Sequence, residues 1–89
     1  MKIEFDSDKN KANIAKHGVD MAAAAGFDFD TAKTWLDTRQ NYGEDRTVAL
    51  GFIAARLHVL VFTMRGRTVR AISLRKANHK ERKAYHGEK

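Results

Sequence analysis

Cysteine is absent from this 89-residue chain, so the fold needs neither disulfides nor a thiolate-ligated metal, as expected in a reducing cytosol. Long apolar runs are missing as well. Although 43% of the residues are hydrophobic, no stretch is long enough to cross a membrane, and no membrane partner is expected. The opening M-K-I-E-F-D lacks the apolar core of a signal peptide, which makes the cytoplasm the expected location. There is no internal repeat, linker, proline-rich or low-complexity segment, so residues 1–89 read as one domain with a single modest core. No phosphate loop, dinucleotide fingerprint or nucleophile elbow is present. His79 and His86 lack a companion acid or cysteine at metal-binding spacing, and the reading carries no metal and no cofactor.

What the chain has is positive charge, unevenly spread. Seventeen Lys and Arg against eleven Asp and Glu give a formal charge of +6. From Arg56 onward the only acids are Glu81 and Glu88, against a succession of arginines and lysines. A near-neutral first half joined to a basic final third suits a polyanionic partner, either nucleic acid or an acidic protein. Plain solubility is the bland alternative. It is weakened because several of the charges fall on predicted strands and helices, where a surface can be built.

The elements predict an α+β fold. Ile3 to Phe5 is a short strand, and Asp6-Ser7-Asp8 caps a helix running to His17, which Gly18 stops. Lys16 and His17 suit the negative end of the helix dipole, so capping is the favoured role for His17. Asp20 caps a second helical segment from Met21 toward Phe27, made of small residues that allow close packing. Phe29 to Asn41 reads equally as a short helix or an extended segment, with Trp35 and Leu36 expected to be buried. Thr47 to Phe52, Leu57 to Met64 and Thr68 to Arg75 then read as an antiparallel meander, with Gly51 a bulge or close-approach point. Asn78 and Glu81 form a near capping box at the start of the final helix.

The hairpin leading into that helix is the most informative stretch. With Arg65-Gly66 as its turn, Thr63 faces Thr68, Val59 faces Ile72 and His58 faces Ser73. One face then carries Leu57, Val59, Val61, Ile72 and Leu74, an aliphatic surface to bury. The other mixes Leu60, Phe62, Met64 and Val69 with His58, Ala71, Ser73 and Arg75. Small side chains beside an arginine leave room for a ligand; alternatively, Arg75 simply lies over a packed edge.

These residues together resemble the BrnT toxins of bacterial type II toxin–antitoxin systems, long classed as a domain of unknown function. The likeness runs through Phe5-Asp6, Lys9, Asn13, Lys16-His17-Gly18-Val19, Ala24, Phe27, Asp37, Arg39, Tyr42-Gly43-Glu44 and Arg46. It continues through Gly51, Thr63-Met64-Arg65, Arg70 to Ala77, Glu81-Arg82 and Tyr85. Each piece is short, but order and spacing together are specific. Met21 stands where that family often has phenylalanine and Gly26 where an aliphatic residue is common; both fall in packing helices. The resemblance implies a RelE-like fold, a small twisted antiparallel sheet packed with N-terminal helices and one C-terminal helix. It also implies a ribonuclease that inhibits translation and is neutralised by a BrnA-like antitoxin in a two-plus-two complex. RNA, free or on the ribosome, is then the substrate, and operator DNA is met only through the antitoxin.

RNA carries its own nucleophile. When the 2′-hydroxyl attacks the adjacent phosphate, a protein need only orient the backbone, move a proton and stabilise the added charge. Arginine grips phosphate oxygens with a permanently charged fork, and resemblance and geometry together suggest Arg46, Arg65 and Arg75 for that task. Glu81 is a candidate base, set against its capping role, and it shares a helix face with Tyr85, which can stack on a nucleobase. His58 is a second base candidate, and Arg67, Lys76, Lys80, Tyr85 and His58 make up the expected RNA-binding set. Glu44 and Arg46 can also simply pair with each other. This chemistry needs no metal and leaves 2′,3′-cyclic phosphate or 3′-phosphate ends. Two rival classes stay open: a non-catalytic basic nucleic-acid-binding module, and a surface that only docks an antitoxin.

Overall fold

The computed structural model describes residues 2–87. Its elements in chain order are β1 (Lys2–Glu4), α1 (Ser7–His17), a 3₁₀ helix (Met21–Gly26), β2 (Lys33–Leu36), β3 (Thr47–Ile53), β4 (Arg56–Arg65), β5 (Thr68–Lys76) and α2 (His79–Tyr85). One five-stranded sheet runs in the order β1-β5-β4-β3-β2. The fold is therefore α+β, as the alternation of patterns predicts. β3 to β5 form the expected meander and β2 extends it at the far edge, whereas β1 joins β5 in parallel, since the chain leaves β1 through the two helices and crosses to β2 before the meander returns.

Local chemistry sets the helix ends. The Asp6 carboxylate accepts from the Lys9 N–H at 2.9 Å, and Asp20 accepts from the Ala22 N–H at 2.9 Å. The run of four alanines after Met21 winds as a 3₁₀ helix, tighter than the expected α-helix and limited to six residues. Asn78 and Glu81 complete the reciprocal capping box on α2.

The hairpin register departs from the expected one. Gly66 adopts a φ of +60°, so the turn is Gly66-Arg67 and Arg65 pairs with Thr68. The register then shifts between Val61 and Phe62, where Ile72 is the extra residue opposite them. As a result Phe62 pairs with Ala71, Val61 with Ser73, Val59 with Arg75 and His58 with Lys76. The expected partners, Ile72 for Val59 and Ser73 for His58, are thus corrected. A bulge changes which side later residues face. Val69 and Ala71 stay on the side of Leu60 and Phe62, whereas Ser73 and Arg75 move to the side of Val59 and Val61.

Two cores result. Beneath α1 and the 3₁₀ helix lie Val19, Met21, Ala24, Phe27, Ala49, Leu60, Phe62, Val69, Ala71 and Leu74. On the opposite face, Val48, Leu50, Leu57, Val59, Val61 and Ala77 pack with Phe52, Ile72 and Tyr85 of α2. This second layer is thin, which leaves part of the sheet face open. β2 is an edge strand, paired only with β3, so Trp35 and Leu36 are 49% and 54% exposed and not buried as expected.

Gly51 is a close-approach point. A Cβ there meets Phe27 Cζ at 2.7 Å, Ala32 Cβ at 2.9 Å and the Asp28 carbonyl oxygen at 3.1 Å. Gly51→Ala is expected to destabilise the fold by about 1–3 kcal/mol through overpacking. Urea unfolding checks this, and an unchanged midpoint contradicts it.

Candidate active site

The bulge in β5 creates the site. By turning Ser73 and Arg75 onto the open face, it places them in a cleft of about 650 Å³. The floor is apolar, formed by Val48, Val59, Val61 and Ile72, while the end of α1, the segment after β2 and α2 supply the walls. Lys16, Arg39, Arg46 and Arg75 face two carboxylates, Asp37 and Glu81, so the cleft carries excess positive charge.

Arg75 is aimed by Glu81. Its Nη1 and Nη2 donate to Oε1 and Oε2 of Glu81 at 2.7 Å each. Oε1 also accepts the Asn78 N–H at 2.9 Å, so the carboxylate is fixed by the helix cap before it fixes the arginine. The hydrogen bonds from Arg75 hold the Glu81 carboxyl below the usual range, and Glu81 in turn raises the pKa of Arg75. A guanidinium has five N–H donors, so Arg75 keeps some for a ligand.

A second cluster forms the far wall. Buried Asp37 accepts from Arg39 Nε at 2.9 Å and from Arg39 Nη2 at 2.7 Å, and its Oδ2 lies 3.2 Å from the Tyr42 hydroxyl. These bonds, the Arg39 pair first, keep Asp37 ionised far below the usual carboxylate range. Arg39 is otherwise exposed, leaving its outer edge free. The Arg46 guanidinium lies 3.9 Å over the Tyr42 ring. The segment before it is tied down by the Thr63 hydroxyl, which donates to the Asp45 carbonyl at 2.8 Å. Arg46 Nε is buried with no hydrogen-bond partner among the described residues; the nearest carboxylate, Glu44, is 3.6 Å away. A buried guanidinium donor without a partner is costly, and an anion in the cleft would satisfy it.

His17 completes the group. It closes α1 beside Gly18, as a helix terminus predicts, and it also lines the cleft with Arg75. Burial, then Lys16 and Arg75, lower its pKa, which favours the neutral imidazole.

Of the residues expected to act, Arg46, Arg75 and Glu81 come together in this cleft. Arg65 does not line it. Arg65 ends β4 six residues beyond Val59, the partner of Arg75, and thus roughly 20 Å away along the strand. Arg67 sits exposed at the hairpin tip, and Lys76 and Lys80 are exposed on β5 and α2. His58 is 7% exposed, on the face of the sheet opposite Arg75, where its Nδ1 donates to the Arg56 carbonyl at 2.8 Å. Tyr85 is pinned: its hydroxyl donates to the Thr31 carbonyl at 2.8 Å and its ring packs edge-on against Phe52. His17, Arg39 and Tyr42 enter the cleft without having been singled out for chemistry. Helix-end logic explains His17 completely, and the segment holding Arg39 and Tyr42 has no periodicity to read.

Residues 5–81 match the family model described as ribonuclease toxin, BrnT, of type II toxin-antitoxin system. No curated protein matches the chain.

Proposed function

Since this chain belongs to the BrnT family of type II toxin–antitoxin ribonuclease toxins, we propose that the cleft around Arg75 is its RNA-cleaving site. The observation that carries this reading is the convergence of Arg39, Arg46, Arg75 and His17 on one concavity. In the proposed reaction the RNA 2′-hydroxyl oxygen forms a bond to the adjacent phosphorus and the bond to the 5′-oxygen breaks. The 2′-hydroxyl proton passes to the imidazole of His17, and the departing 5′-oxygen takes a proton from solvent. Arg75 and Arg46 hold the non-bridging oxygens, where negative charge accumulates. Glu81, already held by three hydrogen bonds, positions Arg75 and is not the base. Arg65, Arg67, Lys76 and Lys80 steer the polyanion from outside the cleft.

The proposed reaction is run by the side chains alone, because the RNA supplies its own nucleophile. The purified protein should therefore cut RNA in EDTA and leave 2′,3′-cyclic phosphate or 3′-phosphate ends. Ends bearing 3′-hydroxyls, or intact RNA, would sink the assignment.

The pH profile tests His17. A base works in its neutral form, and burial with Lys16 and Arg75 disfavours the imidazolium, so the acid limb of the rate should fall below pH 6.5. Both carboxylates of the cleft are committed elsewhere, Glu81 to Arg75 and Asp37 to Arg39. His17→Ala should remove that limb and slow cleavage by about 10²–10⁴-fold. An unchanged limb in the variant assigns the base elsewhere.

A type II toxin has an antitoxin as partner. We assign that partner to the BrnA type in a two-plus-two complex, with arrest of translation as the consequence of RNA cleavage.

A further inference from the structure

Beside the cleft lies a second, smaller concavity of about 310 Å³ between β2 and α2, lined by Lys33, Trp35, Leu50, Lys80, Ala84 and Tyr85, with Glu81 on its border. Its surface is almost wholly apolar, and the two lysines bring the only full positive charges. The walls are tied together. Leu50 pairs with Lys33 and Val48 with Trp35 across the β2–β3 ladder. Lys33 Nζ donates to the Tyr85 carbonyl and lies 5.1 Å over the Tyr85 ring. Trp35 and Glu81 line both concavities, so whatever fills the groove is continuous with whatever fills the cleft. Half of the Trp35 surface is nevertheless exposed to water.

We propose that this groove is a nucleobase subsite, in which an unpaired base of the RNA, next to the phosphodiester held in the cleft, stacks on Trp35. The proposal rests on the cleft being the phosphodiester site. Three features select the occupant. A flat apolar wall suits the π-face that every nucleobase has, and it tolerates any sequence. Lys33 and Lys80 at the mouth suit an adjacent phosphate. The shared border at Trp35 and Glu81 demands a ligand with an anionic part and an aromatic part joined within one short unit, which is the constitution of a nucleotide. Stacking fixes the substrate, so the subsite sets which phosphodiester enters the arginine cluster and favours single-stranded RNA over duplex.

Trp35 is the chain's single tryptophan, so its emission reports on the wall that the groove shares with the cleft. The test titrates the full-length protein with a short 2′-O-methyl RNA, which cannot be cleaved, carrying a fluorescein label whose anisotropy reports binding independently. Trp35 emission should be quenched by half or more on saturation. An oligonucleotide of the same length made of abasic sugars should still bind in an Arg75-dependent manner, about 10-fold or more weakly, without quenching. Trp35→Ala should bind the two oligonucleotides equally, and Trp35→Phe should restore the preference for bases. Binding with unchanged Trp35 emission, or equal binding of both oligonucleotides by the wild type, overturns the subsite and leaves the phosphodiester cleft standing. Binding that ignores Arg75 removes the cleft reading on which the subsite depends. Emission that responds only to the antitoxin, and never to RNA, makes the groove a protein dock and overturns the proposal.

Discussion

Arg75→Ala is expected to lower kcat/KM for RNA cleavage by about 10²–10³-fold while the protein remains folded. Loss of one preorganised donor to a developing oxyanion costs roughly this much, and Arg75 adds a full charge to its hydrogen bonds. Its aim is set before substrate arrives. The capping box fixes Glu81, and Glu81 takes both Nη atoms of Arg75 at 2.7 Å. Such prior orientation is what distinguishes a catalytic guanidinium from a surface charge. Arg75→Lys should also fail, because an ammonium cannot engage Glu81 through two parallel bonds and present a fork to phosphate. Stability should change little. The Arg75–Glu81 pair is partly exposed, with side chains 34% and 25% accessible, a class of ion pair worth about 1 kcal/mol or less. Glu81 also keeps its bond to the Asn78 N–H. Arg65→Ala is the control, since Arg65 lies outside the cleft, and it should act on salt dependence far more than on kcat. Full cleavage by Arg75→Ala, with a normal circular dichroism spectrum, would end the assignment of this cleft as the reactive centre.

The second large effect concerns stability and falls on Asn13. This side chain is 6% exposed, on α1 between the helix and the sheet. Its Nδ2 donates to the carbonyls of Val19 and Leu74 at 2.8 Å each, and its Oδ1 accepts the Leu74 N–H at 3.1 Å. One amide thus satisfies three backbone groups and ties α1 to β5 immediately before Arg75. Asn13→Leu leaves those three groups without partners in a dry setting, each costing about 1–3 kcal/mol. The expected loss is about 3 kcal/mol or more, or at least about 10 °C in Tm for a domain of this size. Asn13→Asp should fare no better, because a carboxylate can serve the Leu74 N–H but repels both carbonyls. The consequence reaches function as well. With α1 loosened, His17 at its end is no longer held in the cleft, so cleavage should fall at temperatures where the variant is still folded. A Tm within about 2 °C of the wild type would show that backbone or water replaces the amide.

Individual residues show why some of this was legible and some was not. Asp6, Gly18, Asp20 and Asn78 announce helix ends because capping is decided within a few residues, and each acts as expected. Arg46, Arg75 and Glu81 were legible as candidates through residue type and resemblance, and the cleft gathers them. The faces of the hairpin were not legible. A turn placed at Arg65-Gly66 in place of Gly66-Arg67 moves the pairing, and the bulge at Ile72 reverses which side Ser73 and Arg75 occupy; neither leaves a mark in a two-residue alternation. His58 therefore went to the ligand face, although it is buried on the other. Trp35 and Leu36 were expected inside because they are large and apolar, but exposure of a strand depends on having a neighbour, and β2 has only β3.

Taken alone, the amino-acid order determined the α+β class, the caps, the basic final third and the likeness to a ribonuclease toxin family, all of which depend on neighbours in the chain or on composition. Only the tertiary structure decided which cations share a cavity. Lys16 and His17 meet Arg39, Arg46 and Arg75 through contacts between residues far apart in sequence. Those contacts are fixed by strand register, by one bulge and by the docking of α1 through Asn13, and their energies arise only when the sheet has closed.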